Sequence, residues 1–199
     1  VVDVRDKEGL KKAIDNTAEK YKKIDILVNN AGILRPEKFT EVSDESRDLQ
    51  IDVNINGVWN ATQLVLPYMI EKEYGRIINL SSVTGEYVCD PGSVCYAMTK
   101  AALVGFTKGI AVEYAERGIT SNALCPGWVK TPAVEKFAKD ERPEDPDALL
   151  TELAEGLPVK RLGVPKDIGV LAAFLAGEDA GFITGATIVI DGGSILPES

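Results

Sequence analysis

Hydrophobic and polar positions follow two periods along the chain, one typical of strands and one typical of helices. Short unbroken apolar runs such as 26–28 indicate strands buried on both faces of a parallel sheet. Longer stretches place apolar residues at helical spacing, as at Leu10, Ala13, Ile14 and Ala18. The pattern predicts strands at 1–4, 26–28, 76–80, 119–124 and 186–190, and helices at 7–21, 43–71, 94–117, 147–155 and 165–176.

This alternation predicts a doubly wound α/β domain with a mainly parallel sheet and helices on both faces. The 199 residues fit a single globular domain over 1–199. No apolar stretch reaches the roughly 18 residues that span a membrane, and no secretory signal pattern is present. The polar segment from Pro126 to about Leu162 contains one predicted helix. Its part from Lys139 to Asp147, rich in proline and charge, is interpreted as a mobile loop, and we expect the segment from Ala133 to Leu162 to cover a substrate pocket.

Composition narrows the chemistry. The net charge of −9 and the pI near 4.7 argue against a nucleic-acid partner. Because histidine is absent, Ser-His-Asp and Cys-His hydrolases and His-based zinc sites are excluded. The three cysteines, Cys89, Cys95 and Cys125, show no C-x-x-C spacing, which favours reduced thiols in a cytoplasmic protein. Proton transfer must therefore use Tyr, Lys, Asp, Glu or Cys.

The sequence Asn29-Asn30-Ala31-Gly32 directly follows the predicted strand at 26–28. In open parallel sheets, ligands bind in the crevice beyond the carboxyl ends of the strands. Ala and Gly there let a flat ring approach the backbone, and the Asn amides can hold adjacent loops together. An ordinary Asn/Gly turn is the alternative interpretation.

Two Tyr-x-x-x-Lys pairs occur in predicted helices, Tyr96 with Lys100 and Tyr68 with Lys72. This spacing places both side chains on one helix face. A phenol has an ordinary pKa of about 10, and a nearby ammonium favours the phenolate; lowering the pKa to roughly 7 requires about 4 kcal/mol. We interpret Tyr68 and Lys72 as an exposed pair late in a long helix.

Ser82 distinguishes Tyr96 from Tyr68, because it follows the strand at 76–80 and the intervening Gly and Pro residues can fold its hydroxyl toward the Tyr96 phenol. Such a hydroxyl can orient a substrate oxygen while the phenol gives or takes its proton. Asn54 lies in mid-helix, where Asn is a poor helix former. Either a buried contact to a carbonyl or water, or a tolerated surface position, explains it.

A third motif, Pro126-Gly127-Trp128-Val129-Lys130-Thr131, follows the strand at 119–124. It predicts a tight turn whose backbone amides and Thr hydroxyl can hold a carboxamide or a phosphate.

Together and in this order, these motifs resemble the short-chain dehydrogenase/reductase family, and within it the UcpA-type oxidoreductases. The likeness runs from Asp3 to Glu198. It implies a Rossmann-type sheet, NAD or NADP as cofactor, an alcohol or ketone as substrate, no metal, and a homo-oligomer, usually a tetramer that pairs helices such as 94–117. Hydride would pass between the nicotinamide and a carbinol carbon.

The resemblance also implies roles for individual residues. Tyr96 would be the general acid/base, Lys100 would lower its pKa and bind the nicotinamide ribose, Ser82 would orient the substrate oxygen, and Asn54 would hold a water that links Lys100 to solvent. The cofactor would further contact Asp3, Val4, Asn30, Ala31, Gly32, Pro126, Gly127, Val129 and Thr131.

Two features depart from the family pattern. The spacing from Ser82 to Tyr96 is one residue longer than the commonest form, which leaves Ser82 preferred over Ser81. The glycine-rich phosphate turn T-G-x-x-x-G-x-G and the first two strands of the family are absent from this sequence. We therefore expect an N-terminally incomplete domain that belongs to a longer protein, and the preference between NAD and NADP stays open.

Two other function classes compete with this interpretation. A non-catalytic family member that acts as a binding or regulatory subunit would keep the fold, although all four catalytic positions are filled. A different α/β protein, such as a nucleotide-binding response domain, leaves the arrangement of Ser82, Tyr96 and Lys100 unexplained. The identity of the substrate is not predicted.

Overall fold

The computed structural model describes residues 1–196 and shows a parallel four-stranded sheet in the order β1-β2-β3-β4. The strands are β1 (Ile26–Asn29), β2 (Gly75–Leu80), β3 (Ile119–Pro126) and β4 (Thr187–Ile190). The helices are α1 (Lys7–Tyr21), α2 (Asp44–Ile51), α3 (Gly57–Lys72), the single turn α4 (Val83–Glu86), α5 (Val94–Tyr114), α6 (Pro132–Glu141), α7 (Pro146–Gly156) and α8 (Pro165–Ala176). Pro197 and Glu198, the end of the segment that carries the resemblance, lie outside the described residues.

The two central strands carry apolar side chains to both faces of the sheet. On one face, Ile77 of β2 packs with Met69 of α3. On the other face, Ile78 packs with Leu175 of α8. Successive residues of a strand point to opposite faces, so one strand supplies both cores. The predicted α/β architecture, a parallel sheet with helices on both faces, is confirmed.

Local signals set several helix boundaries where the sequence predicts them. Asp6 caps α1, and Ser43 caps α2 by accepting the N–H of Ser46. Pro165 is the first residue of α8. Gly118, with φ of 69°, ends the helix that includes α5 and the short 3₁₀ turn after it. Across residues 1–196, no helix has the length and apolar character needed to cross a bilayer.

The helix predicted at 43–71 is one helix with an irregular middle. Between α2 and α3 the backbone forms a π-helical segment, Asp52–Asn56. Such a segment inserts extra backbone into the helix and rotates the residues that follow, and it often occurs at functional sites. It contains Asn54.

The strand predicted at 1–4 is wrong, because residues Val1–Asp3 have no regular structure and the N–H of Asp6 donates to the Asp3 carbonyl in a turn. A strand is stable only beside a neighbour that completes its hydrogen bonds. Within residues 1–196 no strand lies beside this segment.

The segment 126–162 holds two helices where the sequence analysis predicted one. The predicted helix at 147–155 is α7, and α6 was missed. The signal for α6 was present, since Thr131 accepts the N–H of Val134 and Pro132 occupies the first helical turn. The ion pair of Arg142 with Glu152 joins the two helices.

Candidate active site

Tyr96 and Lys100 lie one turn apart on α5, beside the carboxyl end of β2. The Lys100 ammonium donates a hydrogen bond of 2.7 Å to the carbonyl of Leu80, the last residue of β2. The same nitrogen lies 5.5 Å from the centre of the Tyr96 ring. Lys100 is only 4% exposed. The half-buried phenol therefore lies beside a buried ammonium.

Burial shifts the pKa of each group in the direction that favours its neutral form. It raises the pKa of Tyr96, while the interaction with the Ser82 hydroxyl lowers it in part. Burial also lowers the pKa of Lys100 to about 8. In the protein alone, desolvation is thus the largest cause of both pKa shifts. The lowering of the phenol pKa by Lys100 stays a prediction for the ligand-bound site.

Ser81 and Ser82 have different partners although they are adjacent. Ser82 caps α4 by accepting the N–H of Thr84 at 3.1 Å, and its hydroxyl interacts with the Tyr96 phenol. The Ser81 hydroxyl instead donates to the Lys100 carbonyl at 2.7 Å. Ser81 thus ties the end of β2 to α5, and this difference supports Ser82 as the residue that faces a substrate.

Asn54 is fully buried, so the interpretation of a tolerated surface position is wrong. Its Oδ1 accepts the N–H of Ile33 at 2.8 Å, and its Nδ2 donates to the Ile33 carbonyl at 2.9 Å. The same Nδ2 donates to the Thr99 hydroxyl at 3.0 Å. Asn54 therefore connects the segment after β1 with the helix that carries Tyr96 and Lys100.

Gly32 keeps space open beside these side chains. A Cβ at this position would lie 3.2 Å from Lys100 Nζ and 3.5 Å from Asn54 Oδ1. Asn30, Ala31 and Gly32 are exposed. An open, glycine-lined edge next to a buried ammonium has room for part of a bound dinucleotide.

Asn29, the first residue of the same motif, points into the interior. Its Nδ2 donates to Asn79 Oδ1 at 2.8 Å and to the Thr62 hydroxyl at 3.1 Å. Asn79 is the register partner of Asn29 on β2. The amide therefore holds β1, β2 and α3 together, which agrees with the predicted role of the Asn amides.

Some backbone amides of the turn after β3 already donate hydrogen bonds to other parts of the protein. The N–H of Gly127 donates to the Ile190 carbonyl at 3.3 Å, and the N–H of Lys130 donates to the Gly163 carbonyl at 2.8 Å. Val129 pairs with Gly163 as an isolated bridge. Thr131 accepts a bond as the cap of α6 and can still donate its O–H to a ligand.

Two further predicted cofactor residues, Asp3 and Val4, lie near the protein surface. The Asp3 carboxylate forms an ion pair of 2.6 Å with Arg5, and this hydrogen bond lowers its pKa to about 2. A Cβ on Gly57, the first residue of α3, would lie 2.8 Å from Val4 Cγ2.

Sequence reasoning missed two contributors to this site, the Leu80 carbonyl and the Thr99 hydroxyl, and considered Ser81 only as an alternative to Ser82. No sequence signal identifies the carbonyl, because every residue has one. Thr99 precedes Lys100 directly, and a helical projection that placed it inside would have indicated a buried hydroxyl.

The sheet, its helices and the position of this site at the carboxyl strand ends define a Rossmann-like α/β protein. The sequence model of a family described as enoyl-(acyl carrier protein) reductase matches residues 1–194. The chain belongs to the short-chain dehydrogenase/reductase family, as predicted.

Known proteins similar to this chain include oxidoreductases. The oxidoreductase UcpA of Escherichia coli K12 is 54% identical over 199 residues, which cover 100% of this chain and 76% of that protein. The ligand-free aldohexose dehydrogenase of Thermoplasma acidophilum is 35% identical with a TM-score of 0.94, and the match covers 98% of this chain and 77% of that chain.

A gluconate 5-dehydrogenase from Burkholderia cenocepacia, solved with NADP and tartrate, is 33% identical with a TM-score of 0.89. Its match covers 100% of this chain and 75% of that chain. The predicted cofactor, NAD or NADP, agrees with the NADP bound in that structure.

Proposed function

We propose that this protein catalyses NAD- or NADP-dependent interconversion of an alcohol and a ketone. The observation that carries this proposal is the position of the Tyr96 phenol beside the buried Lys100 ammonium, with Ser82 lowering the pKa of the phenol. A bound nicotinamide supplies or accepts the hydride. For oxidation, the C–H of the carbinol is lost as hydride and the O–H as a proton, and Tyr96 takes that proton.

The other residues of the site act on this proton and on the substrate oxygen. The Leu80 carbonyl holds the Lys100 ammonium in place. While Lys100 is protonated, its positive charge favours the phenolate form of Tyr96. Ser82 donates its hydroxyl to the substrate oxygen and sets the distance to the phenol. Asn54 fixes the segment that follows β1 and binds the water through which Lys100 exchanges protons with solvent.

The cofactor lies along the carboxyl strand ends in this proposal. Asn30, Ala31 and Gly32 line its adenosine side, and Lys100 donates to the nicotinamide ribose. Pro126, Gly127, Val129 and Thr131 hold the nicotinamide with its carboxamide, while Asp3 and Val4 contact the adenine. The open space between Gly32 and Lys100 Nζ supports a ligand at this edge of the sheet.

Cofactor binding and turnover of the purified protein test the proposal separately. Titration of NADH and NADPH fluorescence should show saturable binding, and a panel of sugars, polyols, steroids and acyl alcohols should include a substrate that reduces NAD or NADP. Binding without any turnover, unchanged by Tyr96→Phe, would favour the non-catalytic binding subunit instead. Loss of both would reject the proposal.

We further propose that the chain forms one dinucleotide-binding domain whose sheet continues beyond β1. Ile26 and Val28 of this edge strand are 45% and 47% exposed, although the continuous apolar run is typical of a strand with both faces covered. The intact mass of the active protein tests this: a mass of 21.4 kDa for an active species would contradict it.

A homo-oligomer, a tetramer by family resemblance, is also part of the proposal. α3 and α5 present exposed apolar side chains, among them Trp59, Met98 and Val112, and exposed patches of this kind favour association. Light scattering of the purified protein measures the assembly, and Trp59→Glu should weaken it. The free cysteines are compatible with the cytoplasmic location that we propose, which cell fractionation tests.

A further inference from the structure

Three buried polar atoms next to the site have no hydrogen-bond partner within residues 1–196: Glu37 Oε2, Ser46 Oγ and Gln50 Nε2. Gln50 is 0% exposed and Ser46 is 2% exposed. Leaving such groups unsatisfied is costly, and folded proteins satisfy nearly all of them with protein groups or ordered water. Glu37 follows β1, and the other two residues lie on α2.

The unpaired atoms continue a regular pairing between α2 and the segment after β1. Asn54 accepts the N–H of Ile33, and Gln50 accepts the N–H of Arg35 at 3.3 Å. Four residues advance about 6.0 Å along a helix. Two residues of extended chain advance about 6.6 Å, so the two spacings nearly match.

One step further along both segments, the same pairing places Glu37 opposite Ser46. The carboxylate oxygen accepts hydrogen bonds, the Gln50 amide nitrogen donates them, and the Ser46 hydroxyl does both. A buried water typically makes two to four hydrogen bonds to such groups. The three atoms therefore offer a complete set of partners for water.

We propose that Glu37, Ser46 and Gln50 enclose ordered water between residues 33–37 and α2, and that Gln50 is a positioning residue for the segment after Gly32. Gln50 holds Arg35 directly and holds Glu37 through the water. The segment that lines the cofactor side of the site is thereby fixed at two successive points, by Asn54 and by Gln50. The effect on cofactor affinity rests on the proposed function, whereas the water site does not.

A high-resolution crystal structure of the protein tests the water site. We expect a water within hydrogen-bonding distance of at least two of the three atoms. A direct hydrogen bond between the Glu37 carboxylate and the Ser46 hydroxyl, with no water between the segments, would overturn the proposal.

Gln50→Met tests the positioning role, because methionine keeps the length of the side chain and removes both amide groups. We expect hydrogen exchange of the Arg35 amide, followed by NMR, to accelerate about tenfold, since its acceptor is lost. The dissociation constant for NADH or NADPH should rise about tenfold, with kcat at saturating cofactor close to that of the unaltered protein.

Leu49→Ala is the matched control, because Leu49 is a partly buried neighbour on the same helix outside the polar cluster. It should lower stability without changing cofactor affinity. Equal weakening by both variants, or no weakening by Gln50→Met, would contradict the positioning role. If the protein binds neither NADH nor NADPH, the proposed function fails. The Arg35 exchange rate and the water positions still test whether Gln50 holds the segment after Gly32 and whether the water is present.

Discussion

The chain contains two Tyr-x-x-x-Lys pairs with the same spacing and different surroundings. Lys100 is buried, donates to the Leu80 carbonyl and lies over the Tyr96 ring. Tyr68 instead donates its O–H to Asp15 at 2.8 Å. Lys72, the lysine of the same pair, is exposed and forms an ion pair with the adjacent Glu71. The prediction of an exposed pair is confirmed for Lys72, whereas Tyr68 is half-buried.

The electrostatic neighbours of the two phenols differ accordingly. The hydrogen bond to the Asp15 carboxylate raises the pKa of Tyr68, since a negative neighbour disfavours a phenolate. Burial raises the pKa of Tyr96, but its polar neighbour, Ser82, acts in the opposite direction. A bound cationic nicotinamide would also favour the Tyr96 phenolate. Spacing alone therefore does not define a proton-transfer pair, and the surroundings of the phenol do.

The largest expected difference between the pairs is in turnover. Tyr96→Phe should lower kcat/KM by about 10³-fold, because it removes the proton carrier and leaves the ring in place. Tyr68→Phe is the matched control and should leave kcat/KM unchanged. Steady-state assays with NAD or NADP measure both, and similar losses in the two variants would remove the distinction drawn above.

The second difference is the pH dependence of stability in the cofactor-free protein. Burial lowers the pKa of Lys100 from 10.5 to about 8, so between these values the unfolded chain binds more protons than the folded one. The cost of burying the ammonium is fully present below about pH 8 and disappears as the pH rises to about 10.5. Lys100→Met should therefore be more stable than the unaltered protein near neutral pH, by roughly 3 kcal/mol at most.

Urea unfolding of the two proteins from neutral to alkaline pH measures this difference. Their stabilities should converge as the pH rises, whereas Lys72→Met should show no such convergence. A gap between the unaltered protein and Lys100→Met that stays constant with pH would show that Lys100 is not desolvated.

The third expected effect is a difference between Ser82 and Ser81, the two adjacent serines beside Tyr96 and Lys100. Ser82→Ala should lower kcat/KM by about tenfold to a hundredfold and shift the pH profile of kcat upward, because the pKa of Tyr96 loses its lowering partner. Ser81→Ala should retain that profile and lose about 1 kcal/mol of stability with its bond to the Lys100 carbonyl. An unchanged pH profile in Ser82→Ala would exclude contact with the phenol.

The smallest effect concerns the stability contribution of the second pair. Tyr68→Phe removes one surface hydrogen bond to Asp15 and should lower the melting temperature slightly. Differential scanning fluorimetry measures it. A Tyr68→Phe melting curve identical to that of the unaltered protein would show that water replaces the bond at no cost.

Elements with strong local signals could be predicted from the sequence. The bounds of α1 agree with the prediction because its apolar spacing and the Asp6 cap are both local. The strand predicted at 1–4 failed because a strand depends on a neighbour that the local pattern does not contain. α6 was missed because its charged residues concealed a short helix whose cap, Thr131, was assigned to ligand binding.

The site shows the same division. Tyr96, Lys100, Ser82 and Asn54 were selected as candidates from residue types, spacing and the family resemblance, and the structure brings them to one end of the sheet. The bond from Lys100 to the Leu80 carbonyl and the bond from Asn54 to Ile33 join residues far apart in the chain. Such contacts depend on how the helices pack on the sheet, and no local pattern specifies that packing.

The sequence by itself determined the alternation of strands and helices, most helix ends, the chemistry left open by the absence of histidine, and both Tyr-x-x-x-Lys spacings. Only the tertiary structure decided that Lys100 is buried against the Leu80 carbonyl, whereas Lys72 is exposed and Tyr68 bonds to Asp15. The physical reason is that spacing sets which side chains share a helix face, whereas packing against the sheet sets which face loses water and therefore which groups change their pKa.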